Sequence, residues 1–161
     1  LFFPIGLLVL YALIAYIRRK IAKPNYQGKT VWIMAHPQAS ADLAYEFNRT
    51  GAELIISARN VTELERVKKA CSDPSKVQVV GLDMTNFSEV EKVSAEVLTK
   101  LESQGKKLDV LFKTLGLDAL LVPQYSFENH KTLFEVNVNG PYKHMQAVIP
   151  HMIKNQSGQI V

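Results

Sequence analysis

The stretch TVWIMAHPQASADLA, residues 30–44, reads as a buried strand that passes through a turn into a helix. Its opening residues are apolar or β-branched, and Leu43, Ala44 and Phe47 then recur at helical spacing. A nucleotide-binding protein places glycines at such a junction, where backbone N–H groups approach a phosphate at the helix N-terminus. Here no glycine lies between Gly28 and Gly51. Either a phosphate cradle has been lost or there never was one, and the choice bears on whether the chain is an enzyme.

Working outward, strand and helix signals alternate. KTVWIM is the first strand, and the helix ASADLAYEFNRT ends at Gly51, a C′ residue. AELIISA is the second strand, followed by the helix NVTELERVKKAC with Asn60 or Thr62 as its cap. KVQVVGLD is the third. Asn86 or Ser88 then caps a helix with Phe87, Val90, Val93, Val97, Leu98 and Leu101 on one face. KLDVLF is the fourth strand. After a loop around Pro123 a long helix runs through FEVNVNGPYKHMQAVIPHMIKN, and GQIV opens a fifth strand. Strands separated by helix-length segments imply right-handed crossovers and a parallel sheet covered on both faces, a doubly wound α/β fold.

The ends suggest a membrane and a larger protein. LFFPIGLLVLYALIAYI carries no charge over 17 residues and is followed by Arg18, Arg19, Lys20 and Lys23. At about 1.5 Å per residue it spans roughly 25 Å, close to a hydrocarbon core of about 30 Å. Residues 1–20 are therefore expected to form a single transmembrane anchor with a basic flank held on the cytoplasmic or matrix side. Residues 21–28 form a linker in which Pro24 stops the helix, and 29–161 form the folded domain. A chain that stops two residues into a strand reads as the N-terminal part of a longer product, or as half of a split one. Some of the basic residues behind the +4 net charge flank the anchor, so the body is near neutral. With no basic stripe interleaved with aromatics, nucleic acid is not an expected partner. Lone Cys71 excludes an internal disulfide, and His36, His130, His144 and His151 lack metal-ligand spacing.

The phrases GKTVWI, LAYEF, GAELIISARNVTELERVKKAC, GLDMTNF, LDVLF, FEVNVNGPY and VIPHMIKNQSGQIV, in this order, resemble the short-chain dehydrogenase/reductase family, in particular its membrane-anchored member-seven-like subgroup. The resemblance implies a Rossmann-like domain, incomplete on its C-terminal side. Its departures are specific. The family's Thr-Gly-x-x-x-Gly-x-Gly turn is replaced by MAHPQASA, and Pro37 removes a backbone donor as well. The family's Asn-Asn-Ala-Gly after the fourth strand appears as Lys113, Thr114, Leu115 and Gly116.

The resemblance assigns four site residues. Arg59 matches the basic residue that NADP users set against the 2′-phosphate, although it also suits a solvated loop. Asp83, with Met84 beside it, matches the adenine-binding position, although Asp is also a common helix-entry residue. Asn137 matches the structural and catalytic asparagine of the long helix. The family's Ser and Tyr-x-x-x-Lys lie beyond Val161; Tyr16 and Lys20 share that spacing by coincidence. Sequons at Asn48, Asn60, Asn86 and Asn155 are expected to stay unmodified on the side of the membrane that the basic flank selects.

Two functional expectations follow. One is a degenerate, membrane-anchored protein of mitochondrial inner membrane or endoplasmic reticulum, binding no cofactor and acting as a structural or accessory subunit. Other subunits would then cover its open sheet edge. The alternative is the N-terminal half of a working NADP-dependent oxidoreductase of lipophilic alcohols or carbonyls.

Overall fold

The computed structural model of the chain describes residues 25–34, 37–113 and 126–161. The anchor expected over 1–20, the Tyr16/Lys20 pair and Thr114, Leu115 and Gly116 lie outside them. No helix among the described residues is long and apolar enough to cross a membrane.

Five strands, β1 (Thr30–Met34), β2 (Glu53–Ala58), β3 (Val77–Gly81), β4 (Val110–Lys113) and β5 (Gln159–Ile160), form one parallel sheet in the order β3-β2-β1-β4-β5. Helices α1 (Pro37–Arg49), α2 (Val61–Ala70) and α3 (Phe87–Ser103) provide the first crossovers. The segment before β5 is a helix α4 (Phe127–Phe134), a π-helical stretch (Glu135–Asn139) and α5 (Gly140–Lys154). The long helix thus starts seven residues earlier than FEVNV suggests, with the Ser126 side chain accepting from the Asn129 N–H as its cap.

Strand alternation builds two cores. Val31, Ile33, Leu54 and Ile56 face α1 and α2, meeting Ala44, Phe47, Leu64 and Val67. Trp32, Ile55 and Leu111 face the other way, against Val97, Leu98 and Leu101 of α3 and Val148 and Met152 of α5. The central strand β1 is buried at all five positions, as a parallel strand covered on both faces must be.

Local signals behave as their chemistry dictates. Asn60 and Asn86, not Thr62 or Ser88, cap α2 and α3 by accepting from Glu63 and Glu89 N–H groups. Gly51 takes φ +86°, the left-handed conformation that closes α1. Cys71 is buried at the end of α2. Asn48 is buried: its amide donates to the Asp73 carbonyl at 3.0 Å, and its side-chain oxygen accepts from Asp73 N–H and Ser72 Oγ, each at 2.7 Å. That sequon is closed to modification in the folded chain. At the amino end, Asp109 accepts from Thr30 N–H and Lys29 Nζ, each at 3.0 Å, tying β1 to the entry of β4.

The fourth and fifth strands lie side by side, the fifth only two residues long. LDVLF lies inside the sheet, paired with β1 through Val110 to Lys113 and with β5 through Val110 and Leu111. The Val161 carbonyl also accepts the Lys113 N–H at 2.8 Å. The edge strand on this side of the sheet is β5, where Gln159, Ile160 and Val161 are exposed.

Candidate functional site

In a parallel sheet every strand's carboxyl end lies at one rim. The chain winds outward from β1 to β3, then returns to place β4 beside β1, so connections leave in opposite directions between those two strands. Open α/β sheets bind ligands in the crevice at such a reversal.

The expected site residues gather along that rim. Arg59 follows the last residue of β2 and is exposed. Asp83 and Met84 follow β3. The Asp83 carboxylate accepts from the Thr85 N–H at 2.9 Å and its hydroxyl at 2.8 Å, a turn contact that supplies a structural role for this residue. Asn137 lies in the π-helical stretch, half-buried. The next residue, Gly140 at the start of α5, meets the turn after β3: a Cβ there would lie 2.5 Å from the Met84 carbonyl oxygen and 2.7 Å from Met84 Cβ. Only a glycine allows the two backbones this approach.

At the β1 end, two residues separate Met34 from Pro37, the first residue of α1. Proline suits a first-turn position, since its missing N–H would find no intrahelical partner there, but it is also one donor fewer for a bound anion. The side chains of residues 35–39 lie outside the described ones.

The end of β4 carries Lys113, paired in register with Met34. Strand alternation sets it on the same face as Leu111, toward α5. Its amine contacts Met84 Sδ at 4.0 Å. Burial pushes its pKa down to about 7. Among the described residues no carboxylate forms an ion pair with it.

His144 of α5, deeper on that face, is fully buried and stacks edge-on against Trp32, ring centroids 4.5 Å apart. Neither ring nitrogen has a hydrogen-bond partner. Burial first, and the nearby Lys113 charge second, push its pKa down to about 3, so the ring is neutral at physiological pH. His151, one helical face along, is buried but satisfied: Nε2 accepts the Leu108 N–H at 3.2 Å, which leaves Nδ1 to donate to Glu102 at 3.1 Å. Trp32 donates its indole N–H to Ser57 Oγ at 2.8 Å. In the sequence His144 stands out only as one of four histidines without metal-ligand spacing. The spacing of Gly140, His144, Val148 and Met152 along α5 is the signal that marks it as inward-facing. Among the described residues no three His, Cys, Asp or Glu side chains converge as a metal site would require.

A concavity of about 480 Å³ lies at the opposite, amino end of the sheet, lined by Thr30, Glu53, Lys76, Gln78, Lys100 and Lys106 among others. It is away from the strand reversal and shares no residue with Arg59, Asp83, Met84 and Asn137.

Comparison with known proteins agrees with this geometry. The family model described as short chain dehydrogenase matches residues 40–161. The human "Dehydrogenase/reductase SDR family member 7" is 31% identical over 138 residues, covering 81% of this chain and 40% of that protein. The zebrafish (Danio rerio) "Dehydrogenase/reductase SDR family member 7B" is 29% identical over 168 residues, covering 98% of this chain and 52% of the other. The chain therefore spans about half or less of these relatives' lengths. Among solved structures, the hydroxysteroid dehydrogenase from Escherichia coli superposes with a TM-score of 0.72 at 22% identity, over 84% of this chain and 57% of that one. A metagenomic short-chain oxidoreductase in complex with NADP gives 0.71 at 21% identity, over 85% and 62%. With a family match that takes in all but the first strand of the sheet, the chain belongs to the short-chain dehydrogenase family.

Proposed function

We propose that this chain is a degenerate, membrane-anchored member of its family that has kept the sheet and lost the dinucleotide site, and that serves as a structural or accessory subunit of a larger membrane complex. The observation that carries the proposal is the connection from β1 to α1: two residues, neither a glycine, lead into a helix that opens on proline. A side chain forced into a φ > 0 position costs on the order of 1 kcal/mol, before any clash with a phosphate. Several such positions in one turn remove most of a dinucleotide's affinity. The exposed β5 edge is where further polypeptide, of this chain or another subunit, would pair.

Calorimetric titration tests this directly. NADPH and NADH are expected to bind with dissociation constants above about 1 mM, a free energy weaker than about −4 kcal/mol. Low-micromolar binding would overturn the proposal in favour of the alternative, the N-terminal part of a working NADP-dependent oxidoreductase of lipophilic alcohols or carbonyls. That alternative is supported by the NADP bound to structural relatives, and by Arg59, Asp83 and Met84 standing on the ligand-binding rim.

The anchor carries its own prediction. Because Leu1 to Ile17 are uncharged and a basic cluster follows, the chain should stay in the membrane pellet after alkaline carbonate extraction. A variant lacking 1–20 should move to the supernatant. Recovery of the full chain in the supernatant would dismiss the anchor, and with it the assignment to the mitochondrial inner membrane or endoplasmic reticulum.

A further inference from the structure

We propose that the amino end of the sheet is a membrane-docking surface: Lys68, Lys76, Lys100 and Lys106, set around the concavity there, lie on the anionic headgroups of the bilayer. This rests on the anchor proposed above and adds to it which face of the body meets the membrane.

Chain geometry limits where the body can sit. Residues 26–29 are fixed at the amino end. Tyr26 stacks edge-on against Phe47 with ring centroids 4.7 Å apart, the Gly28 N–H donates to the Gly51 carbonyl at 3.3 Å, and Lys29 Nζ reaches Asp109 at 3.0 Å. An anchor that ends at Lys20 leaves only residues 21–25 before this fixed point. A chain extends by at most about 3.6 Å per residue, so those residues reach no further than about 18 Å. The amino end of β1 is therefore held beside the membrane, and Thr30, its first residue, lines the concavity.

Positive charge collects at the same end. Each crossover helix of a parallel sheet starts at the carboxyl rim and ends at the amino rim. Bases favour the last turn of a helix, beside its unpaired carbonyls, and acids favour the first. Arg49, Lys68 with Lys69, Lys100 and Lys154 stand in the last turns of α1, α2, α3 and α5, while Glu63 and Glu89 stand in the first turns of α2 and α3. Each placement is local, but all of them add along one axis. The amino rim gains the bases.

Around the concavity the lysines face Glu53 and Glu65. Glu53 is taken by Lys106 at 2.6 Å, and Lys76 pairs with Asp73 at 3.5 Å. Lys100 donates to the neutral amide oxygen of Gln78 at 3.0 Å. Among the described residues neither Lys68 nor Lys100 is in an ion pair. A small soluble anion needs a site that encloses it, whereas Lys76, Lys100 and Lys106 are exposed. A leaflet of anionic lipids fits an open, basic rim, and it is the same leaflet that the flank of Arg18, Arg19, Lys20 and Lys23 selects.

Lysine footprinting in nanodiscs tests this. The full chain is reconstituted into discs of phosphatidylcholine alone, or of phosphatidylcholine with about 30 mol% phosphatidylserine as the anionic lipid. Acetic anhydride is added, and the acetylation of each lysine is followed by peptide mass spectrometry. A basic residue near an anionic leaflet is held there about fivefold more strongly than near a neutral one. Lys68 and Lys100 should accordingly react at least about fivefold more slowly in the anionic discs. Exposed Lys92 and Lys131, away from this rim, should change by less than about twofold, since headgroup charge is screened over that distance. The protection should fade in about 1 M sodium chloride, where the Debye length falls to about 3 Å. K68Q/K100Q, with its circular dichroism unchanged, should label Lys76 and Lys106 alike in the two discs. Co-elution of the chain with both discs reports the anchor by itself. Equal labelling of the rim lysines in both discs would then overturn the docking surface and leave the anchor standing. Protection of Lys92 and Lys131 as strong as that of Lys68 and Lys100 would overturn it as well. Entry into the anionic discs alone, with the rim protected, would dismiss the anchor and keep the docking surface. A chain that enters neither disc would refute both.

Discussion

Replacing Trp32 by alanine is expected to lower the free energy of unfolding by about 3–5 kcal/mol, a large part of the roughly 5–15 kcal/mol that holds a domain together. Trp32 is fully buried in the central strand, between Ile55 of β2 and Leu111 of β4. It is the largest side chain in the layer that α3 and α5 cover, so alanine leaves a void that neither helix can close without losing its contacts with the sheet. The substitution also strips the indole donor from the buried Ser57 hydroxyl and the ring edge contact from His144. W32F separates these losses. It keeps a ring against the helices but leaves Ser57 without its 2.8 Å partner, which should cost about 1–3 kcal/mol. Since Trp32 is the chain's single tryptophan, urea unfolding has to be followed by circular dichroism rather than by tryptophan emission. If W32A unfolds within 1 kcal/mol of the parent, Trp32 does not hold the α3/α5 layer in place.

The same residue shows what a sequence can reveal. TVWIM reads as a covered strand because it is a run of apolar and β-branched residues without a charge, and the structure buries all five. The helix starts at Asn60 and Asn86 were legible because a side-chain acceptor three residues ahead of a free N–H is a local arrangement. The start of α4 at Phe127 was not: SFENHKTLF has no strong apolar stripe, and four of its first five helical residues are exposed, so packing leaves little pattern. Arg59, Asp83, Met84 and Lys113 could be placed on one rim, because a parallel sheet sends all its carboxyl ends the same way. What they touch there could not be read. Lys113 meets Met84, which the turn after β3 brings to it from a distant part of the sequence. The orphaned ring of His144 depends on which groups from β1, β4 and α5 fail to reach it. An absent partner leaves no trace in the spacing of one helix.

Leucine at position 144 is therefore expected to stabilise the protein, and increasingly so as the pH falls. The two ring nitrogens of His144 leave water on folding and gain no partner. A buried group left in that state costs about 1–3 kcal/mol. Leucine has nearly the same volume, fits the apolar layer of Leu111, Val148 and Trp32, and presents nothing that needs a hydrogen bond. The sign of the pH effect comes from the proton count. The folded-state pKa of His144 lies at about 3, below its usual 6.5, because burial and the Lys113 charge both oppose an imidazolium. Between those values the unfolded chain binds a proton that the native chain does not, so stability rises with pH across the window and is lost as pH falls through it. The slope for one such group approaches about 1.4 kcal/mol per pH unit well below 6.5. Lys113, also depressed, acts in the same direction but above pH 7, and it is present in both proteins. Groups common to parent and variant largely cancel in the difference. Urea midpoints of the parent and H144L, measured at pH 7, 6 and 5, should thus show a gap of about 1–3 kcal/mol at pH 7 that widens by about 1–2 kcal/mol at pH 5. A gap that stays flat from pH 7 to pH 5 would mean that the ring protonates in the folded state and has found water or a partner. A variant less stable than the parent at every pH would mean that the edge contact of His144 with Trp32 outweighs its two unsatisfied nitrogens.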